Sequence, residues 1–164
     1  MRAVVKIFLP IFNLFLIFFL TGCADQRYHN RVGMMSTESA RPVFQWPIDG
    51  RVVLGFGSRE DGVPLKGLLM QGAEGQEVKA AQQGRVVYVD GSLRGYGQTV
   101  VLEHANGYST VYARNSQVAV GVGEDVSKGQ PIARIGQAGK GEAARLYFEV
   151  RRDSKPMDPE LLLK

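Results

Sequence analysis

Between residues 42 and 164 apolar positions recur with a period of two, in short runs bounded by glycine. The run Arg145–Val150, RLYFEV, sets Leu146, Phe148 and Val150 on one side and Arg145, Tyr147 and Glu149 on the other. That alternation predicts a strand with one apolar face and one polar face. Similar runs are RVVLGFG from Arg51, KGLLMQG from Lys66, GRVVYVD from Gly84, QTVVLEH from Gln98, YSTVYAR from Tyr108 and PIARIG from Pro131. No segment of this region shows a sustained helical stripe. Short strands at this density predict an all-β fold, a sandwich or a barrel. Asn106-Gly107 tolerates the positive φ angles of a tight turn, so Thr99–Glu103 is expected to pair with Tyr108–Arg114. Most of the 20 glycines fall here and read as turns.

The first 41 residues follow a different pattern. Arg2 and Lys6 precede a 14-residue apolar segment, Ile7–Leu20. A bilayer-spanning helix needs about 20 such residues, and a run of small residues follows, so residues 1–22 read as a secretory signal. Cys23 is the one cysteine of the chain and has no partner for an internal disulfide. The sequence Leu20-Thr21-Gly22-Cys23 resembles the bacterial lipobox. This implies cleavage before Cys23, lipidation of that residue, and anchoring through buried acyl CH₂ groups. Ala24, rather than an aspartate, follows the cysteine, which favours the periplasmic face of the outer membrane over retention at the inner one. Residues 24–41 are polar and aperiodic and read, with Cys23, as a flexible tether, 23–41, spanning about 20–25 Å. Residues 42–164 make one domain of ordinary size. Without residues 1–22 the chain keeps 18 basic and 16 acidic residues, since Arg2 and Lys6 are the only charges removed. A net charge of 18 − 16 = +2 gives no footprint for nucleic acid.

Three stretches in order, GRVVYVDGSLRGYGQTVVLEHANGYSTVYAR, VGEDVSKGQPIARIGQAG and RLYFEVRRDSKPMDPELLL, resemble the LytM, or lysostaphin-type, peptidoglycan endopeptidase domain from about Phe44 to Leu163. The resemblance implies a twisted antiparallel β-sheet with a groove. Active members hold zinc with the histidine and aspartate of an H-x-x-x-D segment and a histidine of a late H-x-H pair. Two further histidines assist catalysis. Those five positions fall here on Leu65, Leu69, Arg114, Arg145 and Tyr147, and all have changed. Leucine offers no lone pair, and arginine is a fixed cation that repels a metal ion. The chain therefore reads as a non-enzyme without cofactor or metal. Its two histidines do not rebuild the site: His29 lies in the tether, and His104 reads as a hydrogen-bonded structural histidine. No serine–histidine–acid set or mature-domain cysteine replaces it. Glu149 also reads as structural.

Non-catalytic members of the EnvC and NlpD type bind peptidoglycan amidases and activate them, and KGLLMQGAEGQEVKAAQQGRVVYVD and LYFEVRRDSKPMDP fit that type. The resemblance implies a lipid-anchored amidase activator whose groove gathers Lys66, Leu69, Tyr96, Tyr112, Arg114, Arg145 and Tyr147, with Arg151 nearby and Leu65 and Leu69 as an apolar floor. Tyrosine and arginine dominate interface hot spots, and the arginines are expected to meet a partner's carboxylate. The competing expectation is that the arginines pair with local acids and the tyrosines only cover the sheet. Two other function classes stand beside this one. The groove of a peptidoglycan endopeptidase also suits a peptidoglycan-binding module with no amidase partner. VSKGQPIARIG resembles the hairpins of biotinyl and lipoyl carriers, although Lys128 lacks their usual flanking pattern.

Overall fold

The computed structural model describes residues 42–92, 96–136 and 143–164. In chain order its strands are β1 (Arg51–Leu54), β2 (Arg59–Glu60), β3 (Val63–Pro64), β4 (Leu68–Gln71), β5 (Glu77–Lys79), β6 (Gly84–Asp90), β7 (Gln98–Glu103), β8 (Tyr108–Val118), β9 (Asp125–Val126), β10 (Pro131–Ile135), β11 (Arg145–Arg152) and β12 (Lys155–Met157). Ten of them form one sheet. Its main path runs β1-β4-β11-β8-β7-β6-β9, with β10 joined to β5 and β8, and β12 to β11. β2 and β3 pair only with each other. Every strand pairing is antiparallel, as the all-β reading requires.

The β7–β8 hairpin forms as expected. Asn106 at φ 60° and Gly107 at φ 73° turn the chain between the two strands. The first half of β8 lies between β7 and β11, and its last residues, from Asn115, pair with β10. By changing partners, β8 carries β10 and β5 over one face of the sheet. Leu68, Met70, Val100, Leu102, Tyr112, Leu146, Phe148 and Val150 of the sheet then pack with Val78, Ile132 and Ile135 in one core. Gly67 lets β4 approach β11, because a Cβ there would lie 2.2 Å from the carbonyl oxygen of Phe148. The two ends of the domain meet. Phe44 bridges Leu163 in parallel, its N–H donating to Leu162 O at 3.0 Å, while Lys164 N–H donates to Phe44 O at 2.9 Å. Cys23 and the rest of residues 1–41 lie outside the described residues.

Candidate functional site

The sheet face opposite the core carries the site. Leu69 of β4, Ala113 of β8 and Tyr147 of β11 are buried together there, with Val53, Leu54 and Leu65 packed partly against them. Tyr147 stands across from Leu69 on one side and Ala113 on the other. Over this floor opens a cleft of about 310 Å³. The β2–β3 ribbon and the residues after it, Glu60 to Lys66, form one wall; Tyr96 and Arg114 form the other, with Tyr147 between them at the base. Tyr96 meets Tyr147 edge-on, with ring centroids 5.4 Å apart. It also lines an adjoining pocket of about 380 Å³, floored by Val101 and Val111.

Arg114 reaches this face through a fault in its strand. In an unbroken strand, residues two apart share a face, which would put Arg114 on the same side as Tyr112. Between Val100 and Gln98 β7 advances two residues, whereas β8 advances three, from Tyr112 to Asn115. The extra residue is a β-bulge, and Arg114 takes φ 68° within it. Four hydrogen bonds hold the bulge. Arg114 N–H donates to Tyr96 O at 2.6 Å, Gly136 N–H donates to Arg114 O at 2.8 Å, and Asn115 Nδ2 donates to Gln98 O and Tyr112 O at 2.8 and 3.0 Å. A left-handed conformation costs a non-glycine residue roughly 1–2 kcal/mol, so this geometry is held by its surroundings. From the bulge the guanidinium of Arg114 donates two hydrogen bonds to the Glu60 carboxylate, Nη1 to Oε1 at 3.1 Å and Nη2 to Oε2 at 2.5 Å.

Several expected groove residues therefore need correction. Tyr112 is not in the groove. It is fully buried in the core on the other face, because Tyr108, Thr110 and Tyr112 alternate inward before the bulge. Tyr147 does face the groove side, yet only 3% of it is exposed; it belongs to the floor and is not a free contact residue. Its hydroxyl donates to Glu149 Oε2 at 3.3 Å, and burial, followed by the Glu149 carboxylate, pushes the phenol well above its ordinary range. Arg114 is not a free cation, since a local acid, Glu60, already binds it. Lys66, Tyr96 and Leu65 line the cleft, and Leu65 packs against the buried Leu69 beneath it. Arg145, half-buried across from Gln71, shares the face with Tyr147 by alternation but does not line the cleft. Arg151 lines the adjoining pocket. Its Nε and Nη2 donate to the two oxygens of Glu149, both at 2.9 Å, and that carboxylate is 1% exposed. Glu149 is thus structural, as read from the sequence. Glu60 was missed, although Asp61-Gly62 beside it is a hairpin signal.

His104 is the structural histidine expected. Its Nδ1 lies 2.7 Å from Gln83 O and its Nε2 lies 2.8 Å from Thr110 Oγ1. Thr110 Oγ1 is 3.0 Å from Tyr112 Oη, which accepts from Ala81 N–H at 2.8 Å. One order of protons satisfies every group: Ala81 N–H to Tyr112, Tyr112 to Thr110, Thr110 to His104 Nε2, and Nδ1–H to Gln83 O. That order needs a neutral imidazole, and burial pushes His104 below its ordinary value to match. The Tyr112 phenol is pushed up to about 12 by its burial.

The positions that would hold zinc in the endopeptidases do not fit the ion. Leu65 and Leu69 have no donor atom, and burial holds the Tyr147 phenol protonated; at one of the positions that assist catalysis, Arg114 is a cation bound to Glu60. Among the described residues no group of three histidine, cysteine, aspartate or glutamate side chains could hold a metal ion.

Residues 63–159 match the model of Peptidase family M23. "Outer membrane antigenic lipoprotein B" of Haemophilus influenzae is 39% identical over 117 residues, 71% of this chain and 28% of that protein. "Murein hydrolase activator EnvC" of Escherichia coli is 40% identical over 116 residues, 70% of this chain and 27% of that protein. The catalytic domain of the antimicrobial peptidase lysostaphin from Staphylococcus simulans superposes with a TM-score of 0.61 at 27% identity, over 68% of this chain and 90% of that one. The chain spans less than a third of the length of these two curated relatives. Residues 63–159 make up more than half of the chain, and the chain belongs to peptidase family M23.

Proposed function

We propose that this chain is a non-catalytic, lipid-anchored protein of the bacterial cell envelope that binds a peptidoglycan amidase through the cleft and activates it. One observation carries the reading. The five positions of zinc binding and catalysis hold leucine, arginine and tyrosine, and Leu65, Leu69 and Tyr147 close the floor of the cleft. Hydrolysis loses its ion, while the wall gains Tyr96 and Arg114, residue types that dominate protein interfaces. The relatives' names agree, one a murein hydrolase activator and one an outer membrane lipoprotein. Placement at the periplasmic face of the outer membrane rests on Cys23 and Ala24.

The test combines the purified chain with an amidase and dye-labelled peptidoglycan. The chain alone should release no dye, and adding it should raise release by the amidase. Arg114→Gly should abolish that gain without unfolding the domain. Glycine relieves the left-handed backbone by roughly 1–2 kcal/mol, which offsets a partly exposed ion pair worth about 0–1 kcal/mol. Metal-dependent cleavage of cross-links by the chain itself would overturn the reading. So would unchanged amidase rates; co-sedimentation of the chain with sacculi in that case would favour a peptidoglycan-binding module.

A further inference from the structure

Glu60 stands where a partner's acidic group would meet Arg114. The ribbon that carries it has two residues a side, joined by Asp61 at φ 49° and Gly62 at φ 82°, the two positive φ angles of a type I′ turn. Its base is closed by Gly57 N–H to Leu65 O at 2.9 Å and Leu65 N–H to Ser58 O at 2.8 Å. Neither strand joins the main sheet, and a lone two-stranded hairpin is at best marginally stable in water. The Arg59 guanidinium turns back on the ribbon, donating to Gly62 O at 2.9 Å. Among the described residues, the side-chain hydrogen bonds between the ribbon and the sheet are the two that Glu60 accepts from Arg114. Six of the nine residues lining the cleft, Glu60 to Lys66, belong to the ribbon or follow it directly. The ribbon is therefore a wall whose side-chain hydrogen-bonded tie to the sheet is one ion pair, with Leu65 packed at its base.

We infer that Glu60 is a latch, an internal stand-in for an acidic side chain of the amidase, and that the partner's carboxylate displaces it from Arg114 as the ribbon moves off the cleft. The inference rests on the reading of the cleft as the amidase site. A guanidinium edge takes one carboxylate in the two-bond fork geometry, so Glu60 and an incoming acid compete for it. A latch closed about 70–90% of the time lowers apparent affinity about three- to tenfold, because only the open fraction binds. If Glu60 instead serves to hold Arg114 ready for the partner, removing its charge weakens binding. The sign of one substitution separates the two.

Glu60→Gln keeps the size of the side chain and removes its charge. Amidase binding is measured for the wild-type chain, for Glu60→Gln, and for Glu60→Gln combined with Arg114→Gly. The latch predicts three- to tenfold tighter binding for Glu60→Gln, a gain that disappears in the double variant. Wild-type binding with equal or weaker binding by Glu60→Gln overturns the latch and leaves the amidase reading standing. Absence of binding by both overturns the two together. A measurement on the wild type alone gives a second answer. Hydrogen exchange at the Gly57 and Leu65 amides should speed up when the amidase binds, and protection of those amides would overturn the latch.

Discussion

His104 is a residue whose charge the fold opposes. Protonating it would put a proton on Nε2 facing Thr110, and the hydroxyl chain would have to reverse until Tyr112 pointed its proton at Ala81 N–H, itself a donor. The folded imidazole therefore titrates below its ordinary value of about 6.5. In the unfolded chain it takes up a proton near that value, so the unfolded state binds more protons just below it. Stability is then fully present above about pH 6.5 and is lost as pH falls from there toward the folded value. Thermal melts should be flat between pH 8 and 7 and decline from 6.5 toward 5.5. His104→Gln should start from a lower melting temperature and show little decline over that window. At this scale the sequence spoke clearly about His104 and Glu149, whose neighbours in the chain fix their strands. It misled about Tyr112, expected in the groove with Arg114 but buried in the core. A bulge flips every residue beyond it, and this one depends on contacts to Tyr96, Gln98 and Gly136, distant in the chain.

The elements divide in the same way. Asn106-Gly107 between two long alternating runs made β7–β8 legible, and the strict alternation of RLYFEV made β11 so. Asp61-Gly62 carries as strong a turn signal, but its flanks, Arg59-Glu60 and Val63-Pro64, are too short to show a period, so the ribbon and its Glu60 were not seen. β5, β9 and β12, with two or three residues each, escaped for the same reason. In β11 alternation gave the faces correctly but not their burial, since both faces are covered at Tyr147 and Phe148. Truncation tests this in urea unfolding. Phe148→Ala should cost about 3–5 kcal/mol, and Tyr147→Ala should cost a similar amount by opening the second cluster. Tyr147→Phe should cost only about 1 kcal/mol, for the lost bond to Glu149. Arg145→Ala should stay within about 0.5 kcal/mol of wild type. A Tyr147→Ala domain as stable as wild type would return that residue to the surface.

For the molecule as a whole, the all-β class and the span of its sheet were legible because strand period and turn chemistry agree along the chain. The site was legible only as a gap, five positions without their ligands, and what fills the gap depends on packing between strands. At the N-terminal end the expectation is chemical. Cys23→Ala should block lipidation, leaving an unprocessed precursor that fractionates away from the outer membrane, and wild-type migration and fractionation would refute the anchor. At the folded end the parallel bridge between Phe44 and Leu163 brings the first and last stretches of the described residues side by side. Their order along the chain is thus a matter of genetics more than of shape. A circular permutant, with Lys164 joined to Pro42 by a few glycines and new termini opened at Gly121-Val122, where Val122 is 65% exposed, should fold to the same sheet. Its melting temperature should fall by no more than a few degrees, and the pH decline set by His104 should persist in it.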